Sequence, residues 1–550
     1  MITLLALRNL AWRPWRSALL FLGYGLGVGV MIVLLSIGEA LVTQARDERL
    51  VGGGQITVLP EGIDVEVMKT GGTGGLFFSI DHARFVYRQV LAAPRFAGLV
   101  AAAAPQLDGR LVYVRLPNGE ELAVRASGEI PSLTRAVGAG PVLAAGRWAD
   151  DDGDRRWTRP AAAELRHEID HFHLPPPNAA HRDSWAEWHY FNVLSADGRR
   201  WAFISYIVGG DVGRGRWGGQ LLVTLREQGG RSRRFVATVP PERVRLSTTD
   251  ANVGVGGERA GGGSVTVLPD GAYRVVGAAA EEGGAGRLAV DLVVRPAPGA
   301  YFPGASLGGG AAGEPETEGE FVSGYVVPGL RADADGSLCV GGTCERYAGA
   351  QAYHDHNWGV WQGVTWEWGA ARAGAYTLLY GRVEPPDEGE LPASSDSSAA
   401  GAPPREASYG DSTADAPPRP SAPDRNDALR STPLFLYLVD SLGFRAVFRP
   451  RRIAYEDART IVVDGRPVRV PARAVMADVR GDDTLRVELE VEDAIGTDTR
   501  RPLVERGEAL AARRLRRPYF IQMKGLARIS GRVGGAPVRG EGRGFFETYR

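Results

Sequence analysis

At 550 residues, with 44% hydrophobic and 23% charged positions, the chain is long enough for several packed domains. A formal net charge of −1 leaves no basic footprint, so nucleic acid is not an expected partner. The only lysines, Lys69 and Lys524, each follow a methionine, which excludes the Gly-Lys pair of a phosphate-cradling loop.

The first predicted element is an uncharged apolar run from Ala18 to Ile37, long enough to cross a bilayer as a helix. Arg8, Arg13 and Arg16 precede it with Trp12 and Trp15 among them, so the positive-inside rule puts the N-terminus in the cytoplasm and the bulk outside. The run exceeds a usual signal-peptide core and no small-x-small cleavage site follows, which favours a retained anchor over 1–45. Gly23, Gly25, Gly27 and Gly29 give it a face for a partner transmembrane helix. A small α+β extracytoplasmic segment is expected over 46–155, and helical content along the whole chain should be low outside the anchor and parts of 78–145 and 157–172.

From about residue 160 the pattern is mainly β. Arg486 to Glu492 alternates charged residues with Val487, Leu489 and Val491, and Trp201–Val208, Leu221–Leu225, Arg234–Val239 and Leu288–Val294 are further strands. Turn dipeptides separate such runs at Asn118-Gly119, Asp197-Gly198, Asp270-Gly271, Asp335-Gly336 and Asp464-Gly465. Gly254–Gly263 and Gly304–Glu320 read as loops, and 385–433, almost free of apolar residues, as a disordered insertion. Cys339 and Cys344 flank a tight turn; a local disulfide and two free thiols both fit that spacing.

Chemistry concentrates in a few segments. Seven of the eight histidines fall within 167–189 and 354–356. The run 352–368 sets His354, Asp355 and His356 beside Trp358, Trp361, Trp366 and Trp368, titratable groups against an aromatic wall. His167-Glu168-Ile169-Asp170-His171 matches the HExxH zinc pattern, but a triple proline follows at 175–177 and no third ligand is identifiable; we therefore expect neither metal nor cofactor.

Three ordered motifs carry a resemblance: Glu187-Trp188-His189-Tyr190-Phe191-Asn192, Tyr353-His354-Asp355-His356-Asn357-Trp358-Gly359, and Gly540-Glu541-Gly542-Arg543-Gly544-Phe545-Phe546-Glu547. Over about 165–550 the chain resembles the carotenoid 1,2-hydratases and their AttH-like relatives, with His189 where that pattern has Trp. The resemblance implies two lipocalin-like antiparallel β-barrels, at 160–330 and 331–550. Residues 1–150 resemble the start of an FtsX-like ABC-transporter permease, on Arg8-Asn9-Leu10, the glycine-rich span and Gly54-Gln55-Ile56-Thr57-Val58.

The activity so implied is acid-catalysed addition of water to a double bond of a hydrophobic isoprenoid-type ligand. It needs a carboxyl kept neutral by burial, and rings to stabilise a carbocation. Asp355 is the candidate acid, with His354 or His356 tuning it or handling water. Trp358 and Trp361 are the candidate cation-lining residues, and Glu187, Trp188 and Tyr190 complete the substrate-binding set. The alternative is a non-catalytic barrel that binds a lipid or isoprenoid, anchored on the periplasmic side of a bacterial inner membrane and served by an ABC ATPase.

Overall fold

The computed structural model describes residues 12, 14–46, 80–91, 93–137, 149–174, 185–257, 261–307, 323–361, 364–384, 434–500 and 515–550. The expected insertion at 385–433 lies outside them. Contacts divide the chain into two units.

The first unit comprises 1–78, 100–154 and 311–313. The apolar run forms helix α1 (Pro14–Arg46), of which Pro14–Ser36 is the span long and apolar enough to cross a membrane. The unit also holds a hairpin of β1 (Gln106–Arg115) and β2 (Glu121–Glu129), turning at Asn118-Gly119, and a short helix over Pro131–Ala136.

The second unit carries the rest, including a short helical segment over Ile80–Leu91 and, before the strands, α2 (Ala162–Ile169). Its strands are β3 (Trp185–Leu194), β4 (Arg200–Asp211), β5 (Arg216–Glu227), β6 (Arg233–Val239), β7 (Val244–Leu246), β8 (Val253–Gly257), β9 (Gly261–Val267), β10 (Tyr273–Glu281), β11 (Arg287–Pro296), β12 (Phe302–Leu307), β13 (Ser323–Val340) and β14 (Thr343–Val360). The predicted runs at 201–208, 221–225, 234–239 and 288–294 all lie inside these strands. Antiparallel pairing runs β3-β4-β5-β6-β10-β11-β13-β14 and returns to β3, closing an eight-stranded barrel without a free edge. Phe191, Val193, Ile204, Val223, Leu292 and Ala352 alternate into its core.

A second antiparallel sheet contains β15 (Thr365–Ala373), β16 (Tyr376–Glu384), β17 (Phe435–Asp440), β18 (Gly443–Phe448), β19 (Ala454–Val463), β20 (Arg466–Arg480), β21 (Asp483–Asp498), β22 (Tyr519–Val533) and β23 (Ala536–Tyr549). Its order is β18-β17-β16-β15-β23-β22-β21-β20-β19. Phe448 and Val463, from the two end strands, share one buried core with Leu436, Met476, Val487 and Phe546, so the sheet curls round its own interior. A third apolar cluster joins Tyr190, Phe203 and Tyr353 of the closed barrel to Trp368, Leu379, Tyr437 and Phe545 of the second sheet. Buried Lys524 fastens the same contact, donating to the Gly198 carbonyl at 2.7 Å and Gln228 Oε1 at 3.1 Å and pairing with Glu492.

Several expectations are revised by pairing. The boundary expected at 330/331 falls within β13, and the hairpin β13–β14 completes the closed barrel. Much of Gly254–Gly263 is strand: β8 pairs β9 because Gly262, at φ 117°, lets the backbones approach where a Cβ would lie 1.9 Å from the Val255 carbonyl oxygen. Asp335-Gly336 is a bulge inside β13 and not a turn, with the pairing register shifting between Ala334 and Gly336. Cys339 and Cys344 are disulfide-bonded across the β13–β14 turn.

At Gly336, φ is 133° and a Cβ would sit 2.1 Å from the Asp291 carbonyl oxygen. Gly336→Ala should therefore cost about 2 kcal/mol or more. A melting temperature equal to wild type would show that the bulge does not need glycine.

Candidate active site

Period-two alternation on two neighbouring strands builds the site. In the β14–β3 pairing, Tyr353, Asp355 and Asn357 stand opposite Asn192, Tyr190 and Trp188. Asp355, Asn357, Tyr190 and Trp188 face a cavity of about 320 Å³ between the closed barrel and the second sheet. Phe203, Ser205 and Ile207 of β4 extend its wall, and Trp366, Trp368, Gln522 and Glu547 of β15, β22 and β23 close it. Trp361 completes the rings, edge-on to Trp188 at 5.3 Å and to Trp366 at 5.8 Å. Its indole Nε1 is buried without a hydrogen-bond partner among the described residues.

Two carboxyl groups face this aromatic space. Asp355, 4% exposed, accepts hydrogen bonds from Tyr353 Oη and Asn357 Nδ2, each at 2.8 Å. Tyr353 is fixed in turn by the Trp368 indole N–H, 2.8 Å from its oxygen. Glu547 accepts from Tyr190 Oη at 2.6 Å and Trp366 Nε1 at 2.9 Å, with Gln522 Nε2 at 3.5 Å. Burial, then the charge of Glu547, push Asp355 up to about 8. Burial also raises Glu547, against its three donors. Because Glu547 collects more donors and its charge raises its neighbour, Glu547 is the carboxylate of the pair and Asp355 the neutral acid. The Tyr190 phenol, raised well above its ordinary value by burial and then Glu547, stays protonated and donates.

Intervening residues of the same strands point the other way. His354, His356, Glu187 and Trp358 lie on the opposite face, together with Asp170, His173 and His189. His356 bridges Asp170 Oδ1 at 3.0 Å and Glu187 Oε1 at 2.9 Å. Burial opposes its charge, but the two carboxylates raise it to about 9. Glu187 accepts the His173 backbone N–H at 2.7 Å, and Trp358 stacks on the His173 ring at 3.8 Å. Of the residues singled out in the sequence, Asp355, Trp361, Trp188 and Tyr190 thus come together at the cavity; His354, His356, Trp358 and Glu187 come together elsewhere.

The HExxH pattern does not assemble. Helix α2 ends at Ile169, before His171. His167 Nδ1 accepts the Ala251 N–H at 3.1 Å, His171 Nδ1 lies 2.9 Å from the Glu168 carbonyl, and Glu168 pairs with Arg84.

No family model matches the chain, and no curated protein does. Among solved structures it is similar to a putative AttH from Nitrosomonas europaea, at 14% identity and TM-score 0.39, over 69% of this chain and 97% of that one. It is also similar to kievitone hydratase from Nectria haematococca, at 12% identity and TM-score 0.36, over 70% and 94%. CghA solved with Sch210972 matches at 14% identity and TM-score 0.37, over 69% and 96%.

Glu547, Gln522, Trp366, Trp368 and Asn357 were not assigned to the site from sequence. Glu547 lies in the closing motif quoted above, which signals a strand but not which way its carboxyl points. Trp361→Ala should weaken binding of an apolar polyene, read by tryptophan quenching, about tenfold. Trp358→Ala should leave it within about twofold, since that ring stacks on the far face; a larger loss there would place the ligand elsewhere.

Proposed function

We propose that the protein is a hydro-lyase that adds water to an isolated double bond of a hydrophobic, isoprenoid-type chain held in the aromatic cavity. The observation that carries this reading is the pair of buried carboxyls, Asp355 and Glu547, in a cavity whose wall is rich in aromatic rings and also includes Arg234 and a few hydroxyl and amide side chains. An unactivated alkene needs a strong proton donor and a site that tolerates the resulting cation. The Asp355 carboxyl transfers its proton to one alkene carbon, and the π pair forms the new C–H bond. The tertiary cation left on the other carbon faces Trp361, Trp366 and Trp188, each ring supplying about 0.5–2 kcal/mol. Water adds there, and its surplus proton passes to Glu547, held ready by Tyr190, Trp366 and Gln522. Returning that proton to the Asp355 carboxylate restores the starting state, so the net change is alkene plus water to tertiary alcohol.

A membrane location fits such a ligand. The apolar run 18–37 in α1, with Arg8, Arg13 and Arg16 before it, supports an anchor that leaves the β unit on the outer side. A reporter fused after residue 60 should be active only outside the cytoplasm; cytoplasmic activity would reverse this orientation. The same anchor favours the second reading, a barrel that binds lipid or isoprenoid for an ABC-type exporter through a permease-like front end.

Asp355→Asn keeps size and one acceptor oxygen for Asn357 but removes the acid. Hydration of an acyclic isoprenoid should fall about 10²–10⁴-fold with polyene affinity unchanged. Glu547→Gln should likewise lower turnover more than affinity. Wild-type turnover by a folded Asp355→Asn would remove the acid assignment, and a wild type that binds the polyene but never hydrates it would favour the exporter-linked binder.

A further inference from the structure

On the face of β3 and β14 turned away from the cavity, Asp170, Glu187, His189, His354 and His356 are all 0% exposed. Protons account for part of this cluster. His356 sets Nδ1 3.0 Å from Asp170 Oδ1 and Nε2 2.9 Å from Glu187 Oε1, between two carboxylate neighbours. His354 Nδ1 lies 3.1 Å from the Tyr190 carbonyl, a contact that requires its N–H there. Its other nitrogen, Nε2, lies 2.9 Å from Asp170 Oδ2, an oxygen that already accepts Tyr273 Oη at 2.8 Å.

His189 is the member that protons leave unexplained. Among the described residues neither of its ring nitrogens has a hydrogen bond of ordinary geometry, and Nε2 stands 3.7 Å from Asp170 Oδ1. The ring is shut in by Phe172, His354 and His356, with centroids 5.0, 5.2 and 4.4 Å away. An imidazole buried with both nitrogens unpaired is an expensive arrangement unless a cation occupies the gap.

We propose that Asp170, His189 and His354 hold one divalent transition-metal ion, of which zinc is the best fit. Ligand atoms of the three residues all lie within 4.8 Å of one another. An ion bound at about 2.0–2.2 Å to nitrogen and oxygen sets its ligands about 3–4 Å apart, so small side-chain shifts complete the site. Two imidazoles and a carboxylate are a ligand set that zinc accepts. The supporting contacts match as well: His354 hands its remaining N–H to the Tyr190 carbonyl, and His356 holds the Asp170 carboxylate. The only ligand shared with the HExxH segment is Asp170; neither of that pattern's histidines takes part. Enclosed in the barrel, the ion would pin the chain before β3 to β3 and β14. It would thereby act as a positioning device for Tyr190 and Asp355, next in sequence on the cavity side. The site stands whether the cavity catalyses or only binds.

The test uses purified full-length protein, analysed as isolated and again after chelator treatment followed by titration with Zn²⁺ or Co²⁺. We expect about one ion per chain by elemental analysis, a melting temperature that falls on chelation and recovers with Zn²⁺, and visible d–d bands from low-coordinate Co²⁺. His189→Gln should abolish stoichiometric uptake, and His356→Gln should weaken it about 10–100-fold. His171→Gln, which removes the HExxH pattern, should bind like wild type. Wild-type protein that takes up neither ion, with an unchanged melting temperature, overturns the proposal and leaves a cluster held by protons alone. Uptake that survives in His189→Gln but is lost in His171→Gln overturns it in favour of the HExxH residues.

Discussion

The site depends on one constraint: the antiparallel pair β3–β14 is buried on both of its faces. A strand with one wet face can discard its polar residues into solvent. Here Asp355 and Tyr190 point into an aromatic cavity, while His354, His356, His189 and Glu187 point into the closed barrel. Every polar group on either face must therefore find a partner inside the protein, and the two faces solve that problem differently.

On the cavity side the solution is a graded one. Two carboxyls receive unequal numbers of donors, so one holds charge more readily and keeps its neighbour neutral. The rings that raise both carboxyls by excluding water are the same rings that would face an apolar ligand. Acid strength and ligand affinity thus share one physical origin, the dryness of the cavity. On the barrel side no such gradient exists. Two carboxylates and three histidines meet at close range, and both ring nitrogens of His189 lack a hydrogen bond of ordinary geometry to the described residues.

Much of the cavity is made by the second sheet, which supplies Trp366, Trp368, Gln522 and Glu547. Lys524 and the Arg226–Asp493 pair, none of which lines the cavity, hold that sheet against the closed barrel. The residues facing Asp355 therefore arrive from up to about 190 positions away, and only the docking of the two sheets sets their distance from it.

What the sequence determines by itself is local. The period-two runs place the strands, four of the five named Asn-Gly and Asp-Gly pairs mark turns, the apolar run 18–37 gives α1, and the residues around Asp355 mark where chemistry concentrates. Asp335-Gly336 shows the limit, since the same dipeptide that turns a hairpin also relieves a close backbone approach within a strand. Tertiary structure decides which neighbours cooperate. His354, Asp355 and His356 are consecutive, yet a strand turns successive side chains to opposite faces, so the acid parts from both histidines. It joins Glu547 instead, because pairing and sheet packing act between residues that no local spacing connects.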